Sequence, residues 1–337
     1  MNTPPILNSL NGKPISPLGM GTSRIASIQS GLSPKQGLKL LEEAFAQGVN
    51  FIDTADIYGQ GESENLVGKF IQNKRESTIL ASKAGFTWNS SIKARMVKLA
   101  KPILRVAFQQ FSSGKDFVQK QRDNANQNAV IVQDFSPDYL RSSIVNSLNR
   151  LRTDYLDIFF LHEPQSVIHD TQVYQTLLDL KSEGLIRSIG LCTPSLDAWK
   201  SDYHPHFDVL QTKLSPQNAA GVRAFVALQE EQHNITPKII AHAVFNAYRS
   251  AVQILQEHEL PQQIVAKFEH EVNPINLLLA HTKSHYVVNS ILMGTTNINH
   301  LQQNLIAFQS LPQFDLEELL MIESIFRETS KISKPHI

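Results

Sequence analysis

Four ionisable residues lie at or just past the ends of three short apolar runs. Asp53 closes Phe51-Ile52-Asp53 and is followed by Tyr58 in Thr54-Ala55-Asp56-Ile57-Tyr58-Gly59. Lys83 lies in Ala81-Ser82-Lys83-Ala84-Gly85, and His162 ends the run in Phe159-Phe160-Leu161-His162-Glu163-Pro164. Alone, each has an ordinary explanation: a turn-forming aspartate, a solvated lysine, a structural histidine, a rim tyrosine. Together, a carboxylate, a phenol, an ammonium and an imidazole suit proton delivery to a carbonyl that is receiving hydride. A phenol with a pKa of about 10 is a slow acid at neutral pH. An ammonium about 4 Å away stabilises phenolate by roughly 4 kcal/mol at an effective dielectric of about 20. That lowers the phenol by about three units. Burial opposes the shift, so such a group belongs at a half-open mouth. Asp53 then keeps Lys83 charged and oriented, and His162 donates a hydrogen bond to the substrate oxygen.

Elements that bring these residues together are legible in the pattern. Eight runs read as strands: Leu18 to Thr22, Asn50 to Asp53, Thr78 to Lys83, Tyr155 to His162, Ser188 to Cys192, Val209 to Thr212, Lys238 to Ala243 and Val287 to Met293. Helical patterns separate them: Pro34 to Gln47, Ser63 to Ile71, Pro137 to Leu151, Thr171 to Lys181, Gly221 to Glu231, Pro274 to His281 and Ile298 to Phe308. Ser136-Pro137 reads as an N-cap with proline at N1. Alternation of this kind implies right-handed βαβ units and a parallel sheet. Eight units favour closure, and no G-x-G-x-x-G follows the first strand. The expected fold is a (β/α)8 TIM barrel forming a single domain over residues 1–337. Asn11-Gly12 between Ile6 to Leu10 and Lys13 to Ile15 predicts an N-terminal β-hairpin with a type I′ turn. Asp315 to Thr329 adds a C-terminal amphipathic helix. Active groups of such barrels gather at the carboxyl ends of the strands, where all four residues fall.

One segment breaks the rhythm. Residues 86–135 form a long basic insertion after the third strand, where a βα connection usually takes about 2 to 6 residues. From Lys93 to Arg122, eight basic residues (Lys93, Arg95, Lys98, Lys101, Arg105, Lys115, Lys120 and Arg122) accompany a single acid, Asp116. Ile92, Met96, Leu99 and Ile103 recur at helical spacing, and Asp123 to Asn128 reads as a loop. The segment reads as a cap with a solvated cationic face, as a lid offering cations to an anionic group, or as an amphipathic surface that Pro102 disfavours.

Composition narrows the class. The 337 residues balance 31 Lys+Arg against 31 Asp+Glu, which argues against nucleic-acid binding. One cysteine, Cys192, excludes a disulfide framework and fits a reducing, cytoplasmic setting. The apolar runs Ile158 to Leu161 and Leu277 to Ala280 are far shorter than the roughly 18 residues of a membrane span, so no membrane insertion is expected. Met1 to Leu10 lacks the pattern of an export signal.

At these residues the chain resembles an aldo-keto reductase. The resemblance runs through Leu18-Gly19-Met20-Gly21-Thr22, Gly48 to Gly68 with Gly61-Glu62-Ser63-Glu64, Ser82-Lys83, Ser136 to Pro164, Gly184 to Gly190 and Gly294 to Asn304. It implies NAD(P)H-dependent reduction of a small carbonyl compound (an aldehyde, ketone or sugar) or oxidation of the alcohol. It also implies a catalytic tetrad of Asp53, Tyr58, Lys83 and His162, and cofactor contacts from Gly21, Thr22 and Asp53. Cys192-Thr193 stand where the family often has Ser-Asn, and a threonine hydroxyl replaces only part of an amide. Gln211 matches the second carboxamide ligand, and His242, or Phe245, stands where an aromatic usually stacks on nicotinamide. Gly294-Thr295-Thr296 precedes a helix whose free N–H groups suit phosphate. Thr296, Asn297 and His300 replace the Lys or Arg that usually grips the 2′-phosphate, Gln303 replaces an acid, and Asn304 is retained. NADP(H) is the family default and NAD(H) stays open.

Two other functions compete. A nucleotide-binding regulatory or sensor subunit fits the altered Cys192-Thr193 and the basic insertion, but has no need of Tyr58 and Lys83. A metal hydrolase would need His162, His242 and Asp53 to meet, lacks an H-x-H pair at an early strand end, and would set Lys83 against the cation; no metal is expected. His204-Pro205-His206 reads as a surface feature. Substrate, direction and oligomeric state are not written in these motifs.

Overall fold

A computed structural model describes residues 9–25, 32–88, 131–200, 206–257 and 260–332. Short β1 (Ser9–Leu10) and β2 (Lys13–Pro14) pair antiparallel, with Asn11 at φ 53° and Gly12 at φ 78° between them. Both central residues take the positive φ of a type I′ turn, as Asn-Gly predicts.

The eight expected strands are β3 (Leu18–Gly21), β4 (Phe51–Asp53), β5 (Ile79–Ala84), β8 (Ile158–His162), β9 (Ile189–Thr193), β10 (Val209–Lys213), β11 (Lys238–His242) and β12 (Val288–Met293). They close into one parallel barrel in that order. The remaining pair, β6 (Phe86–Trp88) and β7 (Ile131–Gln133), form an antiparallel ribbon at the two ends of the basic insertion. The helix expected around Ile92 to Ile103 and the loop Asp123 to Asn128 lie outside the described residues, as do His204 and Pro205.

The expected helices are α1 (Pro34–Ala46), α2 (Glu62–Ile71), α3 (Pro137–Leu151), α4 (Thr171–Ser182), α5 (Ala219–His233), α8 (Pro274–Lys283), α9 (Ile298–Gln309) and α10 (Leu316–Ile332). Two more, α6 (Tyr248–Glu257) and α7 (Gln262–Val265), occupy a stretch that the sequence pattern leaves as loop. A capping box starts α1: Gln36 N–H donates to Ser33 Oγ while Gln36 Oε1 accepts from Ser33 N–H. At α3 the expected N-cap and N1 proline are found, without a capping bond. Ser136 holds the N-cap position and Pro137 starts the helix, but the Ser136 side chain makes no capping bond; its own N–H donates to Asp134 Oδ1 instead.

Two compact units share the chain: residues 20–189 with 294–298, and residues 1–19, 190–293 and 299–337. In the first, Phe51, Phe159 and Phe160 are fully buried, each contributing about 2 kcal/mol of apolar transfer. Asp157 fixes the register of β5 and β8 from their amino ends. Its Oδ2 accepts from Leu80 N–H at 2.9 Å and pairs with Arg75 at 2.8 Å. Arg75 and Arg187 each stack a guanidinium 3.8 Å from the Tyr155 ring centre. In the second unit, Arg223 forks onto Glu323, which also meets His281 at 3.3 Å. Among the described residues no helix is long and apolar enough to cross a membrane.

Candidate active site

Register alone puts the reactive side chains on one face. Asp53 of β4 pairs with Ala81 of β5, and Lys83 pairs with Phe160 of β8. Side chains alternate along a strand, so Lys83 shares the face of Ala81 and His162 that of Phe160. Asp53, Lys83 and His162 therefore project to the same side at the carboxyl ends of consecutive barrel strands. Tyr58 follows β4 in a 3₁₀ turn, Tyr58–Gly61, that leads into α2.

The geometry brings all four together. Lys83 is 1% exposed; its Nζ lies 2.6 Å from Asp53 Oδ2 and donates to the Thr54 carbonyl at 3.0 Å. The same Nζ stands 5.1 Å from the centre of the Tyr58 ring. Tyr58 meets the His162 ring edge to face, with centres 5.7 Å apart. A buried cation beside a phenol, anchored by a carboxylate, is the arrangement the sequence predicts.

Neighbouring groups brace these four. Thr22 N–H and its hydroxyl both donate to the Asp53 carbonyl, at 2.9 and 3.0 Å. Ser63 Oγ, the first turn of α2, sits 2.7 Å from Thr22 Oγ1 and 2.9 Å from Thr54 Oγ1. One residue on, Glu64 is buried between Ser82 and Arg150, each at 2.6 Å. Phe86 of β6 packs edge-on against His162 at 5.0 Å. Gln133 of β7 donates to the Glu163 carbonyl at 2.7 Å and accepts from Gln165 N–H at 3.1 Å. The ribbon thus grips the exit of β8 from both of its strands.

Asp56 is the group the sequence reading passes over. Its Oδ2 accepts from Ser143 Oγ at 2.8 Å and lies 3.0 Å from the Tyr139 hydroxyl. Burial pushes its carboxyl up to about 6, against the pull of the Ser143 bond and with help from Glu64. Burial and this carboxylate together hold the Tyr139 phenol far up, so it stays protonated. Asp56 sits inside the quoted Asp53–Tyr58 motif; only the burial of its carboxyl, invisible in sequence, separates it from a solvated turn residue.

The profile of the "Aldo/keto reductase family" matches residues 17–327. The chain belongs to the aldo/keto reductase family. A 6-dehydroglucose reductase from Novosphingobium aromaticivorans is 30% identical over 56% of this chain and 51% of its own length. The chain spans about half the length of the curated relatives it matches near 30% identity. An NADH-specific methylglyoxal reductase from Escherichia coli is 24% identical over 92% of this chain and 94% of its own. A glycerol dehydrogenase from Gluconobacter oxydans shares the fold with a TM-score of 0.69, at 18% identity over 98% and 97% of the two chains.

In this aldo-keto reductase the remaining predicted residues fall at strand ends or on and just before α9. Gly21 ends β3, and the Thr22 hydroxyl is engaged with Asp53 and Ser63 as described. In the other unit, Cys192 of β9 and Gln211 of β10 are register partners and therefore share a face. Thr193 is buried, its hydroxyl donating to the Ser195 carbonyl at 2.7 Å. His242 ends β11 in register with Lys213. Thr295 and Thr296 follow β12 and precede α9, and Thr295 Oγ1 accepts from Asn297 N–H at 3.1 Å. His300 is exposed and Asn304 buried on α9. Within each unit the chemistry is of the kind that suits a nicotinamide dinucleotide. Gln211 offers a buried carboxamide at a strand end, and Gly294 has nothing within 4 Å of where a Cβ would project, beside the helix start.

Proposed function

We propose that this aldo-keto reductase is an NAD(P)H-dependent oxidoreductase interconverting a small carbonyl compound and its alcohol, with Tyr58 as the acid–base residue. The observation that carries the reading is the buried Lys83 ammonium, held 2.6 Å from Asp53 and 5.1 Å from the Tyr58 ring centre. When bound, the nicotinamide supplies or accepts hydride at the substrate carbon.

The chain's own residues manage the proton. In reduction, the Tyr58 hydroxyl gives its proton to the substrate oxygen as negative charge develops there. Lys83 stabilises the phenolate left behind, and Asp53 holds the ammonium charged and in place. His162, edge-on to Tyr58, donates a hydrogen bond to the same oxygen and orients it. Oxidation runs the same proton backward, from alcohol to phenolate. The Phe86 ring packs against the buried His162 imidazole and helps hold it in place.

For the dinucleotide, the family resemblance assigns the carboxamide to Gln211 and Thr193, and further contacts to Gly21, Cys192 and His242. Gly294, Thr295 and Thr296 would hold the phosphates through backbone N–H groups, and His300 and Asn304 the adenosine side. NADP(H) is favoured by the family; the absence of Lys and Arg from Gly294 to Asn304 keeps NAD(H) open. A relative named for 6-dehydroglucose supports a sugar or comparable small carbonyl as the substrate class.

Turnover of NADPH and NADH against a panel of aldehydes, ketones and sugars tests this. Tyr58→Phe is expected to lower kcat by about 10²- to 10⁴-fold while leaving nucleotide Kd unchanged. Retained turnover in Tyr58→Phe would refute the assignment.

A further inference from the structure

The Tyr139 hydroxyl, on α3, lies 3.0 Å from two acceptors at once: Asp56 Oδ2 and the main-chain oxygen of Phe86. A phenol carries one proton and fully satisfies only one of them. Phe86 and Gln133 are register partners in the β6–β7 ribbon, and Asp134 N–H donates to the Gly85 carbonyl. That makes Phe86–Gln133 a pair without ladder bonds, so the Phe86 carbonyl faces away from β7. Asp56 is sparsely served too: its Oδ1 is buried without a hydrogen bond of normal geometry among the described residues, although the Ile57 N–H lies near enough to pull on the carboxyl.

A proton on Asp56 removes the shortage. The neutral acid donates from Oδ2 to Tyr139 Oη, Tyr139 turns its own proton to Phe86, and Ser143 still donates to Oδ2. Both ends of this chain touch the site. Asp56 lies two residues before Tyr58, with its N–H on the Lys83 carbonyl at 3.1 Å. Phe86 packs on His162 at 5.0 Å.

We propose that Asp56 is a positioning residue: its carboxyl proton sets the direction of the Tyr139 hydroxyl, and thereby ties the strand carrying Phe86 to the loop carrying Tyr58. The proposal rests on the reading of Tyr58 and His162 given above. Protonated, the strut Asp56–Tyr139–Phe86 is continuous. On ionisation the carboxylic acid gives its proton to solvent, and the resulting carboxylate draws the Tyr139 hydroxyl to itself. The Phe86 carbonyl then loses its donor, and the Phe86 packing against His162 loosens. Nothing is oxidised; one proton leaves and one hydroxyl turns.

Groups facing Asp56 are accounted for on each side. Tyr139 and Ser143 come from α3. Glu64 comes from α2, with its charge paired to Arg150 at 2.6 Å. Lys83 comes from β5, with its ammonium committed to Asp53. Burial of the carboxyl, with Glu64 adding to it, raises Asp56 to about 6, inside the range where enzymes work.

The test is steady-state kinetics from pH 5 to 8, with NADPH and 4-nitrobenzaldehyde as the carbonyl probe, on the wild type, Asp56→Asn and Tyr139→Phe. Carbon NMR of aspartate side-chain carboxyls runs alongside. The wild type is expected to show KM rising about fivefold through pH 6, the worth of one net hydrogen bond, with kcat changing less. Asp56→Asn donates an amide N–H to Tyr139 at every pH and holds the low KM throughout. Tyr139→Phe has no strut and shows the high KM throughout. The carboxyl signal missing from Asp56→Asn titrates between pH 5 and 7. An Asp56→Asn profile that follows the wild type overturns the proposal, as does an Asp56 signal titrating near an exposed aspartate's value. Should Asp56→Asn not fold, a KM in Tyr139→Phe that still varies with pH overturns it equally. Turnover surviving Tyr58→Phe fails the acid–base reading alone, so the two failures are separable.

Discussion

Lys83 spends its charge on a contact that is both structural and chemical. Its ammonium is out of water and meets Asp53 Oδ2 at 2.6 Å and the Thr54 carbonyl at 3.0 Å. Burying two ions costs several kcal/mol in lost hydration, which their mutual attraction offsets only while both are present. Asp53→Asn removes one charge and strands the other, so it should destabilise the fold by about 3–5 kcal/mol. Lys83→Met in the same chain removes the stranded cation and should recover part of that loss. Urea unfolding of the two single variants and the double variant measures this as a coupling energy, expected to be about 2 kcal/mol or more. A double variant as unstable as the sum of the singles would mean that the pair does not neutralise itself. Activity is a separate readout, because either change also removes the cation–carboxylate anchor beside Tyr58.

Elements decide which glycine matters. Gly85, after β5, has φ +144°, and a Cβ there would stand 2.4 Å from Cε1 of the Phe135 ring and 3.2 Å from the His162 carbonyl. Gly85→Ala should therefore cost about 2 kcal/mol or more in stability from backbone strain and overlap, and weaken turnover through His162. Gly294→Ala meets open space, so its melting temperature should match the wild type within a degree or two, about 0.5 kcal/mol. If the start of α9 takes phosphate, that added methyl should raise the nucleotide Kd. Calorimetry and nucleotide titration on the two variants read both effects; a Gly85→Ala protein of unchanged stability would contradict the close approach. The same contrast explains how much was legible beforehand. Barrel strands are short apolar runs with chemistry at their carboxyl ends, so Asp53, Lys83 and His162 could be placed from spacing alone. The β6–β7 ribbon could not, because its pairing joins residues more than forty positions apart in sequence. Helix α6 starts at Tyr248 without a Ser, Thr, Asp or Asn cap, behind a 3₁₀ turn entered through Ala243 at φ 55°. Its apolar residues, Tyr248, Ala251, Val252, Ile254 and Leu255, do recur at helical spacing, so the missing cap hid where the helix starts and not that it exists. Asp56 was in view as a letter of the motif, but its function depends on Tyr139 and Ser143, more than eighty residues away.

At the scale of the whole molecule, four buried groups pull stability in opposite directions with pH. In the unit that holds α8 and α10, His285 is lowered to about 3, first by burial and then by His281 and Arg223. Burial also lowers His281, partly opposed by Glu323. Burial would raise Glu323, but the Arg223 fork and His281 overcome it and hold the carboxyl at about 2. A base whose folded pKa is depressed stabilises the fold above its unfolded value and loses that contribution as pH falls. For His285 the window runs from about 6.5 down to about 3, worth on the order of 5 kcal/mol at most. Asp56 has the opposite sign. Its raised carboxyl contributes stability below the ordinary 3.8 and loses it as pH rises through about 6, on the order of 3 kcal/mol. Wild-type stability should therefore fall below pH 6 as the histidines are forced to charge, with Asp56 partly flattening the decline. His285→Leu keeps an apolar side chain of similar size, and the Nε2 it removes has no hydrogen-bond partner among the described residues. It should flatten the acid limb of a urea-unfolding series run from pH 4 to 8. Asp56→Asn should steepen that limb and raise stability at pH 8 while adding nothing at pH 4. An acid limb unchanged by His285→Leu would place the sensitive protons elsewhere in the barrel.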